Sequence, residues 1–238
     1  MGNDFFNLIN INENEVLRYL EYKGQDINDN LKNTISECIK LAKEKINPRY
    51  MLRVYPILRK KENNEIEIKG SNIKFSSKDL YKLLENCDEC IIIATTVGME
   101  IEKEIRKYSY AELTKSIILD ACATTAIEEF CDLLQDDLKL KLSNQGKYIT
   151  NRYSPGYGDL SIDTNIEIIN FLNSPKEIGL TITENKIMIP RKSVIAIIGI
   201  SNSKVEVENK SCLNCKNYDS CKYKRGDEAC GNKRLHKR

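Results

Sequence analysis

The stretch Ser193-Val194-Ile195-Ala196-Ile197-Ile198-Gly199-Ile200 has no polar alternate face, and a strand of that kind belongs inside a sheet covered on both sides. Cys90-Ile91-Ile92-Ile93-Ala94 reads the same way. Working outward, Thr181-Ile182-Thr183 and Lys186 to Ile189 predict two short strands before the last one. Met51, Val54, Tyr55, Ile57 and Leu58 predict another, and Ile66-Glu67-Ile68 one more after a polar turn from Glu62 to Glu65. Helical patterns lie between. Leu31, Ile35, Ile39, Ala42 and Ile46 recur at spacings of three and four, and Pro48 stops that helix. Ser76 or Ser77 caps a short helix carrying Leu80, Leu83 and Leu84. After Gly98 a helix runs to about Lys107, a long one spans about Ala111 to Leu142, and a third spans about Asp163 to Leu172. No regular βαβ alternation emerges, so the fold class is α+β.

The bulk properties narrow the function. The chain has 238 residues, 41% hydrophobic and 30% charged, which suits a soluble globular protein with a real core. Its 37 basic and 35 acidic side chains leave a net charge of only +2, giving no reason to expect nucleic acid or an anionic membrane as partner. No run reaches the roughly 20 apolar residues of a membrane span, and Met1-Gly2-Asn3-Asp4-Phe5-Phe6 lacks the pattern of a secretory signal. Nine cysteines, an odd number, argue against a disulfide framework and for reduced thiols in the cytoplasm.

The loop Arg152-Tyr153-Ser154-Pro155-Gly156-Tyr157-Gly158-Asp159 carries the most chemistry. An arginine pairs with a carboxylate through two parallel hydrogen bonds, Pro155 stiffens the loop, and Gly156 permits a turn or a close approach. Tyr157 offers a ring face and a hydroxyl to a sulfonium or an adenine. The same residues also suit a structural turn whose arginine makes a salt bridge, and pattern alone leaves both readings open. The small residues between Asp120 and Ala126 of the long helix similarly suit either tight helix packing or a close-lying ligand.

Followed by a helix and then by Ile178-Gly179-Leu180-Thr181-Ile182-Thr183-Glu184 and Met188-Ile189-Pro190-Arg191-Lys192-Ser193-Val194, the Arg-x-x-x-Gly-Tyr loop resembles the activation domain of cobalamin-dependent methionine synthase. Upstream, Glu15-Val16-Leu17-Arg18-Tyr19-Leu20 and Asn47-Pro48-Arg49 are similar to the start of its free-standing form, so the likeness spans roughly residues 10 to 205. It implies an α+β fold with a mixed or antiparallel sheet and long helices, ending near residue 207 and followed by a tail over 208–238. It implies that Arg152 holds the carboxylate of S-adenosylmethionine, with Pro155, Gly156 and Tyr157 beside it and Glu128 on the long helix near the ligand. An aspartate that meets the ligand amine in the family falls at Asn12, with Glu15 a nearby alternative, and an aromatic pair falls near Val205 and Glu206. The implied activity is reductive reactivation, with the methyl group passing to reduced cobalamin and no protein nucleophile required. The Asp-x-His-x-x-Gly cobalamin pattern is absent, His236 being the only histidine. The expectation is therefore a cobalamin carried by a partner, either methionine synthase or another corrinoid protein, with an electron donor such as a flavodoxin.

Cys212, Cys215, Cys221 and Cys230 are spaced C-x2-C-x5-C-x8-C in a polar tail, which suits tetrahedral zinc or an iron–sulfur cluster. Cys38, Cys87, Cys90, Cys122 and Cys131 fall in predicted core elements, with a redox role for Cys87-x-x-Cys90 as a lesser alternative. Two other functions remain open: a metal-binding redox or scaffold protein built on the four tail cysteines, and a small-molecule methyltransferase. The latter lacks the Gly-rich strand-turn-helix opening of a Rossmann-like enzyme.

Overall fold

The computed structural model describes residues 7–204, which divide into two compact units. In the first unit, the helix Glu13–Tyr19 (α1) starts at Asn12, whose side-chain oxygen accepts from the Asn14 and Glu15 amides. The helix Asp29–Lys45 (α2) buries Ile35, Cys38 and Ala42 and ends two residues before Asn47-Pro48, as the proline requires. Two further helices are Met99–Ala111 (α4) and Leu113–Ser143 (α5). Residues of α5 up to Leu133 belong to the first unit and those from Leu134 to the second.

The second unit is built on a six-stranded sheet in which every pairing is antiparallel. Its strands are Arg49–Lys60 (β1), Glu65–Ile68 (β2), Lys74–Ser76 (β3), Glu89–Thr96 (β4), Tyr148–Ile149 (β5) and Ser193–Ser201 (β8). The order is β3-β2-β1-β4-β8-β5. The two all-apolar stretches are thus neighbours, paired from Glu89↔Ile200 to Thr96↔Ser193, and nearly every residue of both is buried. Pro56 interrupts β1 where the strand changes partner: residues up to Pro56 face β4, and those from Ile57 face β2. A residue without an N–H costs least at that switch.

One face of the sheet packs a core of Met51, Ile66, Phe75, Ile92 and Ile197 with Leu80 and Leu84. Leu80 lies in the helix Lys78–Leu83 (α3), capped by Ser77, and Leu84 is that helix's C-cap. Ile168 and Ile169 of the helix Thr164–Phe171 (α6) and Ile178 of the helix Ser174–Ile178 (α7) join the same core. The strands Thr181–Ile182 (β6) and Met188–Ile189 (β7) form a separate hairpin. β7 is shorter than the run from Lys186 suggested, because Lys186 and Ile187 close the turn back onto Thr183. The short β3, β5 and α7 carry too little pattern to be read from sequence. The fold is α+β, as expected. No described helix is long and apolar enough to cross a membrane.

Candidate functional site

The loop after β5 is held from both sides within the second unit. At its start, Tyr153 bridges to Ile197 of β8 through both backbone groups, at 2.9 and 2.8 Å. Its ring is buried in the sheet core, and its hydroxyl lies 3.1 Å from the Tyr157 carbonyl and 3.4 Å from Asp79 Oδ2. Burial first, then the Asp79 and Asp159 charges, pushes that hydroxyl up to about 12. At the loop's end, Leu160 returns to the core.

Asp159 fixes the far side. Its carboxylate accepts from the Ser77 hydroxyl at 2.5 Å, the Lys78 amide at 2.7 Å and the Asp79 amide at 3.3 Å. Ser77 meanwhile caps the Leu80 amide at 2.9 Å, so the first three helical amides of α3 are all satisfied. The Ser77 hydroxyl, with the two amides assisting, holds the Asp159 carboxyl below the usual carboxylate range against the effect of burial.

Between these anchors the chain turns tightly, with Gly156 N–H donating to the Leu160 carbonyl at 2.9 Å, Tyr157 N–H to Ser154 and Leu160 N–H to Tyr157. Gly156 sits at φ +90°, yet a side chain there would meet Ile162 only at ordinary contact distance, so its value is the turn. The close approach falls at Gly158, φ +53°, where a Cβ would collide with Asp79 Oδ2 and the Tyr153 hydroxyl. Pro155 is buried, whereas Tyr157 is 69% exposed. The result is a braced loop presenting an aromatic ring outward.

Half-buried Arg152 precedes this turn and donates through Nη1 to Gln135 Oε1 of α5 at 3.0 Å, which orients its guanidinium. Arg152, Pro155, Gly156 and Tyr157 are therefore gathered in one region of the second unit. The family model described as vitamin B12 dependent methionine synthase, activation domain, matches residues 32–207. The chain belongs to that family. Among solved structures it is similar to the MetH reactivation domain bound to AdoHcy, with 16% identity, a TM-score of 0.55, and coverage of 87% of this chain and 82% of that one. No curated protein matches it.

Within this activation-domain fold, the other two expected ligand residues lie in the first unit. Asn12 spends its side-chain oxygen capping α1. Its alternative, Glu15, is bound by Arg18 through Nε at 3.0 Å and Nη2 at 2.8 Å. Glu128 is half-buried on α5, in a helical stretch where Ala121, Cys122, Ala123, Thr125 and Ala126 are all buried. The Thr125 hydroxyl is buried there without a hydrogen-bond partner.

Cys212, Cys215, Cys221 and Cys230, with Val205 and Glu206, lie outside the described residues. Among the described residues no group of three or more His, Cys, Asp or Glu could hold a metal ion. Cys87 and Cys90 are buried free thiols, pushed by that burial up to about 11 and about 12. A redox pair needs an accessible thiolate, so these two are packing residues.

Sequence reasoning missed the link from Asp159 to the start of α3 at Ser77, Lys78 and Asp79. A lone Ser-Lys-Asp before a helix reads as an ordinary cap, and nothing in the sequence joins it to a loop 80 residues later.

Proposed function

We propose that this chain binds S-adenosylmethionine at the Arg152–Tyr157 loop and reactivates, in trans, a cobalamin-dependent methionine synthase or another corrinoid protein. The observation that carries this reading is the loop itself. An oriented arginine stands at the base of a braced turn that exposes Tyr157, in a chain of the activation-domain family. Arg152 would take the ligand carboxylate, a charge-assisted pair suited to its planar fork. The ring of Tyr157 would lie against the sulfonium or adenine, and Gly156 supplies the turn that presents it. By the family resemblance, Asn12 falls at the position that meets the ligand amine and Glu128 at one near the ligand.

The partner's cobalamin is the substrate. One electron from an external donor such as a flavodoxin reduces cob(II)alamin to cob(I)alamin. The sulfonium methyl then moves to cobalt, the carbon–sulfur bond breaks with its electrons left on sulfur, and S-adenosylhomocysteine departs. A sulfonium is already a good leaving group, so this chain's residues bind and orient rather than activate. The proposed division is an activation domain over 1–207, to whose end the family model extends, and a tail over 208–238 whose four cysteines hold zinc or an iron–sulfur cluster. The five described cysteines are thiols rather than disulfides, which suits a reducing cytoplasm.

Calorimetry with S-adenosylmethionine tests the binding claim. Removing one carboxylate pair from a partly dry site costs about 2–4 kcal/mol, so Arg152→Ala should weaken binding roughly 30-fold to 1,000-fold. Exposed Arg191→Ala should bind nearly as the wild type does. Equal affinity for the wild type and Arg152→Ala would remove the reading.

A further inference from the structure

Direct methyl transfer sets a geometric demand: cobalt must reach the sulfonium methyl in line, at about 3–3.5 Å. A cobalamin carried by another protein brings that protein's surface with it, so the partner must cover what surrounds the ligand loop. One tyrosine ring offers about 150–250 Å², whereas a specific interface buries about 800 Å² on each partner. The exposed neighbours of the loop therefore belong to the contact, and their chemistry says what they fit.

Those neighbours include isoleucines. Ile162 follows the loop, is 47% exposed, and lies 3.7 Å from where a Gly156 Cβ would stand. Asp163, beside it, pairs with Lys186 Nζ at 2.5 Å, which ties the loop's exit to the turn of the β6–β7 hairpin. In that hairpin Ile182 and Met188 pair and pack on the sheet core, so the residues flanking Met188 turn the other way. They are Ile187 and Ile189, 52% and 36% exposed. All of these residues lie in the second unit. Large apolar side chains with few charges are what the buried centre of an interface uses. A corrin, broad and largely apolar with amides at its rim, presents a matching surface.

We propose that Ile162 and the outer face of the β6–β7 hairpin, Ile187 and Ile189, form the docking surface for the cobalamin module of methionine synthase. The inference rests on the reactivation reading above and gives it a contact surface distinct from the residues that hold S-adenosylmethionine.

The test uses the full chain and the organism's methionine synthase held as cob(II)alamin, with saturating S-adenosylmethionine and a low-potential reductant. Ile187→Glu should raise the KM for the synthase roughly tenfold and leave kcat little changed. Its affinity for S-adenosylmethionine, read by calorimetry, should match that of the wild type, unlike that of Arg152→Ala. Ile187→Lys should behave as Ile187→Glu does, because apolar contact is lost whichever charge replaces it. Ile187→Ser should raise KM less, and it carries the test if the charged variants do not fold. Leu113→Glu, at an exposed leucine of the first unit, should leave KM unchanged. If the wild type forms no methylcobalamin, the reactivation reading fails, and calorimetric binding of the synthase to the wild type and to Ile187→Glu still decides the surface. A wild-type KM in folded Ile187→Glu, an equal rise in Leu113→Glu, a parallel loss of S-adenosylmethionine affinity, or no difference in direct binding would overturn the proposal.

Discussion

At the scale of single residues, chemistry and conformation make separate demands on the loop, and the sequence displays them unequally. Arg152 and Tyr157 announce themselves by residue type. The division of labour between Gly156 and Gly158 does not, since close approach depends on Tyr153 and Asp79 being folded against the second glycine. Gly158→Ala should therefore destabilise the chain by about 1–3 kcal/mol, from a left-handed φ and a collision combined, with thermal or denaturant unfolding as the measurement. Thr125 makes the opposite case. Its buried hydroxyl has no partner, so Thr125→Val, which keeps the shape and deletes the unpaired oxygen, should leave stability unchanged or raise it by up to about 1 kcal/mol. A clear loss on the same unfolding assay would mean that the hydroxyl works in a way its surroundings do not reveal.

At the scale of elements, legibility followed the length and purity of the pattern. β4 and β8 were evident because a strand buried on both faces has no polar positions to confuse the period, and α2 because its apolar residues keep one face. β3 and β5 span three and two residues and are defined by their neighbours, while α7, five residues long, shows only Pro175 near its start and Gly179 at its end. The Ser77 cap was legible, but its second function was not. Because Ser77 both accepts from Leu80 and donates to Asp159, Ser77→Ala should cost about 1–2 kcal/mol of stability, at the upper end for a cap. The buried thiols belong to this scale as well. Cys38, Cys87, Cys90 and Cys122 are pushed by burial to between about 11 and about 12, so at neutral pH they are protonated and shielded. Iodoacetamide should leave them unmodified in the native chain and label them on unfolding, as peptide mass spectrometry would show.

At the scale of the whole molecule, these groups set the pH response. Thiols and the Tyr153 hydroxyl titrate higher in the folded chain than when unfolded, so they favour the native state below their ordinary values. That contribution is lost as the pH rises from about 9 toward 12. Asp159 has the opposite sign: its depressed pKa stabilises at neutral pH, and the contribution fades in acid below the usual carboxylate range. The zinc or iron–sulfur site proposed for the four tail cysteines has its own test. Anaerobic purification followed by metal analysis should find about one zinc, or a brown iron protein that loses its colour in Cys215→Ser. A metal-free tail would remove both forms of that proposal. The central claim, reactivation of a partner in trans, is tested most directly by the visible spectrum of a corrinoid protein from the same organism, held as cob(II)alamin with S-adenosylmethionine and a low-potential reductant. Adding this chain should accelerate the appearance of methylcobalamin, and the Arg152→Ala chain should not. Equal rates with and without the wild-type chain would contradict the account.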